Sequence, residues 1–176
     1  MHTPTGTLET FTGQKFDLLN PENNYYDRRD IIHALAYTCR YGGHCNRYYS
    51  VAEHVYIGTF LTDNRKVQRQ FCAHDAPEAF LGDWPTPLKN IPVFNAVYRT
   101  LDEKHLEQIC TQWFIEQPFE DEVWDIDQRM FCIEQPQLMK GLWYPKKPMS
   151  NIKLFCWSPE HAEEALTSRF KELDLL

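Results

Sequence analysis

No stretch of the 176-residue chain approaches the roughly 18 to 20 consecutive apolar residues that a membrane-crossing helix needs. Paired cysteines are also missing. Cys39, Cys45, Cys72, Cys110, Cys132 and Cys156 are scattered with no C-x-x-C among them, so the spacing of a cysteine-built structural zinc site is absent. They read instead as reduced, mostly buried thiols, which suits a cytoplasmic protein. The start, Met1-His2-Thr3-Pro4-Thr5-Gly6, lacks a charged segment leading into an apolar one, and the expectation is again cytoplasmic. Positive charge is short: 18 Lys and Arg stand against 25 Asp and Glu, a net of -7. That argues against a nucleic-acid duplex as partner. It leaves room for a small phosphorylated substrate, which needs only a few local cations and a metal. Strand alternation, internal repeats and a composition shift marking a domain boundary are all lacking.

What is present is the makeup of one globular domain, 43% hydrophobic and 14% aromatic. Residues 1–26 read as irregular, with Phe16-Asp17-Leu18-Leu19 docking on the core. A helix is expected from Asp27-Arg28-Arg29-Asp30 to Gly42-Gly43. Ser50-Val51-Ala52-Glu53 is a capping box opening a second helix that runs to about Thr62. A third is expected from about Arg65 to Phe80, with Pro77 kinking it or ending its regular part, because proline lacks the N–H and crowds the carbonyl of Ala73. Helical periodicity returns over residues 93–116. A further helix runs from about Pro118 to Gln135, with Pro136 as its stop. The tail, 141–176, carries Pro145, Pro148 and Pro159 before a last helix to about Leu173. The fold class is therefore all-α, a single helical domain over 1–176.

Chemistry concentrates around His74-Asp75. Their surroundings, Phe71-Cys72-Ala73 and Ala76, are too apolar for an exposed face, and a buried His-Asp pair must be satisfied by hydrogen bonds or by a metal. Glu78 follows four residues after His74, and Asp83 lies just past the helix end. His54 falls in the first turns of the capped helix, and Asp127 lies inside an amphipathic segment. Taken one at a time, each has an ordinary alternative. His54 can be a satisfied polar residue, His74 a buried histidine held by Asp75, Asp127 a solvent-facing acid, and Glu78 and Asp83 surface and turn residues. The residues alone support a helical protein with a possible metal site.

Taken together they resemble the HD-domain metal-dependent phosphohydrolases, whose pattern is H…HD…D. Here that pattern is His54, His74-Asp75 and Asp127, with separations of twenty and fifty-two residues. The closer resemblance is to small single-domain members that act on deoxynucleotides. It rests on Phe16-Asp17-Leu18-Leu19, on Cys39 to His44, on Tyr49 to His54 and on the long string from His74 to Lys89, and covers roughly residues 10 to 140. It implies a helical HD bundle, and a divalent ion (Zn, Co, Mn or Fe) held by the four ligands. It implies cleavage at the 5′ phosphoester, of the 5′-deoxynucleotidase type on monophosphates or the dATP triphosphohydrolase type on triphosphates. Glu78 and Asp83 would be the catalytic acids and bases; Arg40, Tyr41, His44 and Lys89 would line the substrate, with His44 in a loop after Gly42-Gly43. His33 is expected on a helix near the core instead. A homo-oligomer in the cytosol of a bacterium or a phage-infected host is also implied. Two positions depart: Trp124 stands where many relatives carry a lysine, and Pro77 where the nucleotidase type has a small residue. The competing readings are an HD phosphodiesterase of another phosphorylated nucleotide and a catalytically inactive nucleotide-binding domain.

Overall fold

The computed structural model describes residues 5–141 and 151–176. Met1 to Pro4, and Pro145 and Pro148 of the tail, lie outside the described residues. Among those described, eight α-helices account for most of the chain: α1 Arg28–Tyr37, α2 Val51–Gly58, α3 Arg65–His74, α4 Glu78–Leu81, α5 Thr86–Lys89, α6 Pro92–Trp113, α7 Asp121–Leu138 and α8 Pro159–Glu172. The fold is all-α apart from a small antiparallel hairpin of β1 (Thr7–Glu9) and β2 (Lys15–Asp17), in which Leu8 faces Phe16. No described helix is long and apolar enough to cross a membrane.

Helix starts follow their caps. Asp27, Ser50, Asn64 and Ser158 each accept a hydrogen bond from a backbone N–H of the first turn of α1, α2, α3 and α8, satisfying donors that a helix leaves free. The capping box at Ser50 is half formed. Ser50 Oγ takes the Glu53 N–H at 3.0 Å, but the Glu53 carboxylate does not return the bond. It accepts instead from the backbone N–H groups of Phe155, Cys156 and Trp157 at 2.8 to 2.9 Å, which ties the segment before α8 to the buried helix α2.

Helix α2 is the axis of the molecule. It touches α1, α3, α7 and α8, and Tyr56 alone of its eight residues is not buried. Val51, Ala52 and Val55 join a core with Ile31, Leu35, Ile109, Trp113 and Phe170. Ile57 joins a second cluster with Phe71, Ile126 and Met130. Each fully buried large side chain contributes on the order of 1.5 to 3 kcal/mol.

Three boundaries differ from the sequence expectation. Helix α1 stops at Tyr37, because Thr38 turns extended and its Oγ1 bonds back to the Ala34 carbonyl at 2.8 Å. The chain then forms a tight turn over Arg40–Gly43, and Cys39 pairs with Ser50 across an antiparallel bridge. Helix α3 ends at His74; Asp75 leaves helical geometry at φ -102°, ψ 6°, and Pro77 opens the separate α4. Pro136 does not stop α7, which runs on to Leu138. Pro136 gives up its own N–H bond and crowds the Cys132 carbonyl, but only two residues of helix follow it.

Candidate metal centre and cavity

Each residue of the H…HD…D set reaches the site for a local reason. Ser50 starts α2 so that His54 falls one turn in, with no exposed surface. The break after His74 turns Asp75 out of the helix path toward the same point. Asp127 comes from the facing helix α7, which packs on both α2 and α3. One ligand atom each from His54, His74 and Asp75 lies within 4.8 Å of the other two. Asp127 stands just outside that group, with Oδ1 3.4 Å from His54 Nε2.

Hydrogen bonding fixes which ring nitrogens are free. His74 Nδ1 lies 2.7 Å from the Phe71 carbonyl, which can only accept, so Nδ1 carries the proton. His54 Nδ1 lies 2.7 Å from Oε1 of the buried Glu134 and donates likewise. Both Nε2 atoms are left as bare lone pairs, buried and without a hydrogen-bond partner. They face carboxylates: Asp75 Oδ2 is 3.2 Å from His74 Nε2 and 3.6 Å from His54 Nε2. Acceptors converging on acceptors are unfavourable unless a cation lies among them. Burial holds the His74 imidazolium below the usual histidine range, so a second proton is a poor way to fill that gap. This His/His/Asp group can bind a metal ion, and two imidazoles with carboxylates are a donor set suited to a divalent one.

Carboxylates here diverge in strength. Burial raises Asp75, but His74, His54 and Arg40 outweigh it and hold the carboxyl at about 2. Glu78 moves the other way, pushed well above the usual range by burial and by Asp75 and Asp83. Its Oε1 is held by Lys89 Nζ at 2.9 Å, while Oε2 is buried without a partner. Burial raises Asp83 too.

These groups open onto a cavity of about 480 Å³. Asp75, Glu78, Asp83, Asp127, Arg40 and Lys89 line it, and so do Tyr41, Trp84, Pro85, Pro87 and Phe131. Arg40 NH1 is 3.5 Å from Asp75, and its Nε is 3.3 Å from Glu134. Tyr41 adopts a left-handed backbone (φ 59°), at about 1–2 kcal/mol for a residue with a Cβ, and its hydroxyl donates to Glu134 at 2.8 Å. His44 stands apart: it is exposed on the turn and does not line the cavity. His33 lies on α1, as expected, beside Glu163 at 3.1 Å. Trp124 is half exposed and does not line the cavity either.

Glu134 is absent from the sequence reading. Its one signal is spacing: seven residues after Asp127, two helical turns along the same face of α7. Burial raises its carboxyl, but Arg40 and His54 prevail and hold it at about 2. The apolar lining of Trp84, Pro85, Pro87 and Phe131 carries no motif of its own.

No family model matches this chain. It is similar to the uncharacterized protein YfdR of Escherichia coli, 32% identical over 99 residues, which is 55% of this chain and 52% of that protein. It is also similar to an uncharacterized protein of Rhodobacter capsulatus, 36% identical over 86 residues, 44% of each chain. The chain thus spans about half the length, or less, of the curated relatives it matches.

Proposed function

We propose that the protein is a divalent-metal-dependent phosphohydrolase that cleaves the 5′ phosphoester of deoxynucleotides, with monophosphates favoured. The observation that carries this is the pair of bare His54 and His74 Nε2 atoms facing Asp75 and Asp127 beside a cavity with unequal acids. His54, His74, Asp75 and Asp127 would hold the ion; their N and O donors suit Zn²⁺, Mn²⁺, Fe²⁺ or Co²⁺. When bound, such an ion supplies Lewis acidity toward a phosphoryl oxygen and toward water.

The remaining work falls to the chain. Glu78 is fixed at Oε1 by Lys89 and free at Oε2, so a proton is taken or given at a defined atom. Its raised affinity for protons lets it carry a proton to higher pH than an ordinary carboxyl, as a general acid–base group requires. Asp83, also raised, would protonate the departing 5′ oxygen. Arg40 offers its planar fork to phosphate oxygens and Lys89 a point charge. Tyr41, Trp84 and Phe131 provide aromatic surface for a base and sugar.

Charge supports the monophosphate. Four carboxylates line the cavity against two cations, and both cations are already paired, Arg40 with Asp75 and Glu134, Lys89 with Glu78. A triphosphate brings more negative charge to this acid-rich lining than a monophosphate does. The setting we propose is a cytosolic homo-oligomer, in a bacterium or a phage-infected host, where six free cysteines stay reduced.

The test is incubation with each dNMP and dNTP in Zn²⁺, Mn²⁺ or Co²⁺, with the products separated by chromatography. Inorganic phosphate and nucleoside from dNMPs are expected. Tripolyphosphate from dNTPs would overturn the monophosphate preference, and no product from either would overturn the activity.

A further inference from the structure

Glu134 is fully buried, yet its three hydrogen bonds and its ion pair all go to one short stretch of chain. Oε1 accepts from His54 Nδ1 at 2.7 Å and from the Tyr49 hydroxyl at 3.0 Å. Oε2 accepts from the Tyr41 hydroxyl at 2.8 Å and lies 3.3 Å from Arg40 Nε. One oxygen therefore serves the metal-facing histidine and the other serves two residues that line the cavity. A buried ionised carboxylate is costly to desolvate, and an apolar side chain would fill the same core position more cheaply. Its retention calls for a task that charge and geometry perform.

We infer that Glu134 is a positioning residue that joins the metal ligand His54 to the substrate-binding turn at Arg40 and Tyr41. This rests on the metal reading above. By accepting from Nδ1–H, the carboxylate keeps His54 Nε2 unprotonated and aimed at Asp75 and Asp127. By holding Tyr41 and Arg40, it keeps the turn over residues 40–43 in the left-handed geometry that places both against the cavity. Loss of either oxygen disturbs a different half of the site.

Glutamine at this position cannot reproduce both halves. With its oxygen toward His54, its NH₂ group meets the Arg40 guanidinium, donor against donor, and the counter-charge is gone. With its NH₂ toward His54, Nδ1 must become the acceptor, so the proton moves to Nε2 and blocks the ligand atom. Carboxylate partners of metal-bound histidines typically shift metal affinity 10- to 100-fold.

The experiment is titration of the metal-free full chain with Co²⁺, followed by its visible absorption, for wild type, Glu134→Gln, Glu134→Asp and Glu53→Gln. Glu53 is the control: it is an equally buried carboxylate on α2, bonded only to backbone N–H groups of residues 155–157. Expected are a roughly 10- to 100-fold weaker Co²⁺ affinity in Glu134→Gln and an intermediate loss in Glu134→Asp, whose charge is kept but drawn back by one methylene. Glu53→Gln should melt lower but bind Co²⁺ as wild type does. Wild-type affinity in either Glu134 variant overturns the inference, and Glu134→Asp settles it even if Glu134→Gln fails to fold. An equal affinity loss in Glu53→Gln also overturns it, since burial alone would then explain the effect. Failure of the wild-type chain to bind Co²⁺ refutes the metal reading itself and is recognisable as such.

Discussion

Replacing Gly58 with alanine should weaken both the fold and the metal site, although helix propensity favours the change. Gly58 is the last residue of α2. In a helix interior alanine is favoured over glycine by about 1 kcal/mol, and less at an end. The added Cβ would lie 2.0 Å from Phe71 Cε1, 2.5 Å from Cζ and 2.9 Å from Cδ1. Phe71 is fully buried in the second core cluster, so its ring has no open space to move into. Overpacking of a tight core costs about 1–3 kcal/mol, and contacts this short belong at the top of that range. The net loss is then about 2 kcal/mol, or a melting temperature lower by roughly 4–8 °C for a domain of this size. The same ring stacks on His74 at 4.1 Å and lies 5.5 Å from His54, and the Phe71 carbonyl fixes the His74 tautomer. Displacing Phe71 therefore moves both histidines. Thermal melts with and without Co²⁺ provide the assay: the variant should melt lower and gain less from the metal than wild type. A melting temperature equal to or above wild type, with full Co²⁺ stabilisation, would mean that Phe71 makes room at no cost to either histidine.

Other perturbations separate the roles. Glu78→Gln should keep the metal and lose turnover by roughly 10²- to 10⁴-fold; steady-state rates alongside metal content check it, and full activity would remove Glu78 from the mechanism. His44→Ala should change KM by no more than about twofold, the scale of an ordinary surface substitution, because His44 lies outside the cavity lining; a large rise in KM would bring it back into the site. Asp102 on α6 is raised from 3.8 to about 6 by burial, against the pull of Lys89. An acid whose folded-state pKa is raised stabilises the fold fully below its unfolded value and loses that contribution as pH climbs from about 4 through about 6. Asp102→Asn should therefore be more stable than wild type at pH 7.5, by ~1–2 kcal/mol after allowance for partial exposure, and the gap should close near pH 4. Denaturant melts at the two pH values check the sign.

The fold was legible wherever a helix carried its own punctuation. Ser50, Asp27 and Pro159 mark starts that the structure keeps, since a cap or a first-turn proline is decided by neighbours in sequence. Strands β1 and β2 were not legible, because three residues are too few to show alternation. The two internal prolines differ for a physical reason. Pro77 follows a helix end at His74 and opens α4, whereas Pro136 sits in the last turn of α7 and the helix ends two residues after it. Within the site, His54, His74 and Asp75 converge as the resemblance implied, although their spacing alone left each an ordinary alternative, and Asp127 approaches through His54. Glu134 was hidden. An acid two residues before a proline reads as a frayed helix end, and only packing against Tyr41, Tyr49 and His54 reveals a buried carboxylate. Glu53 shows the same limit from the other side: the capping-box pattern found the helix start but not the carboxylate's true partners, a hundred residues away.

His54, His74, Asp75 and Asp127 are proposed to bind one divalent ion. The most direct measurement is the metal content of the dialysed chain after loading with Co²⁺, by elemental analysis, for wild type, His74→Ala and Asp75→Ala, with circular dichroism on each. One ion per wild-type chain, little or none in either variant, and unchanged helical spectra are expected. Equal metal content in all three, or none in the wild type, would contradict that proposal.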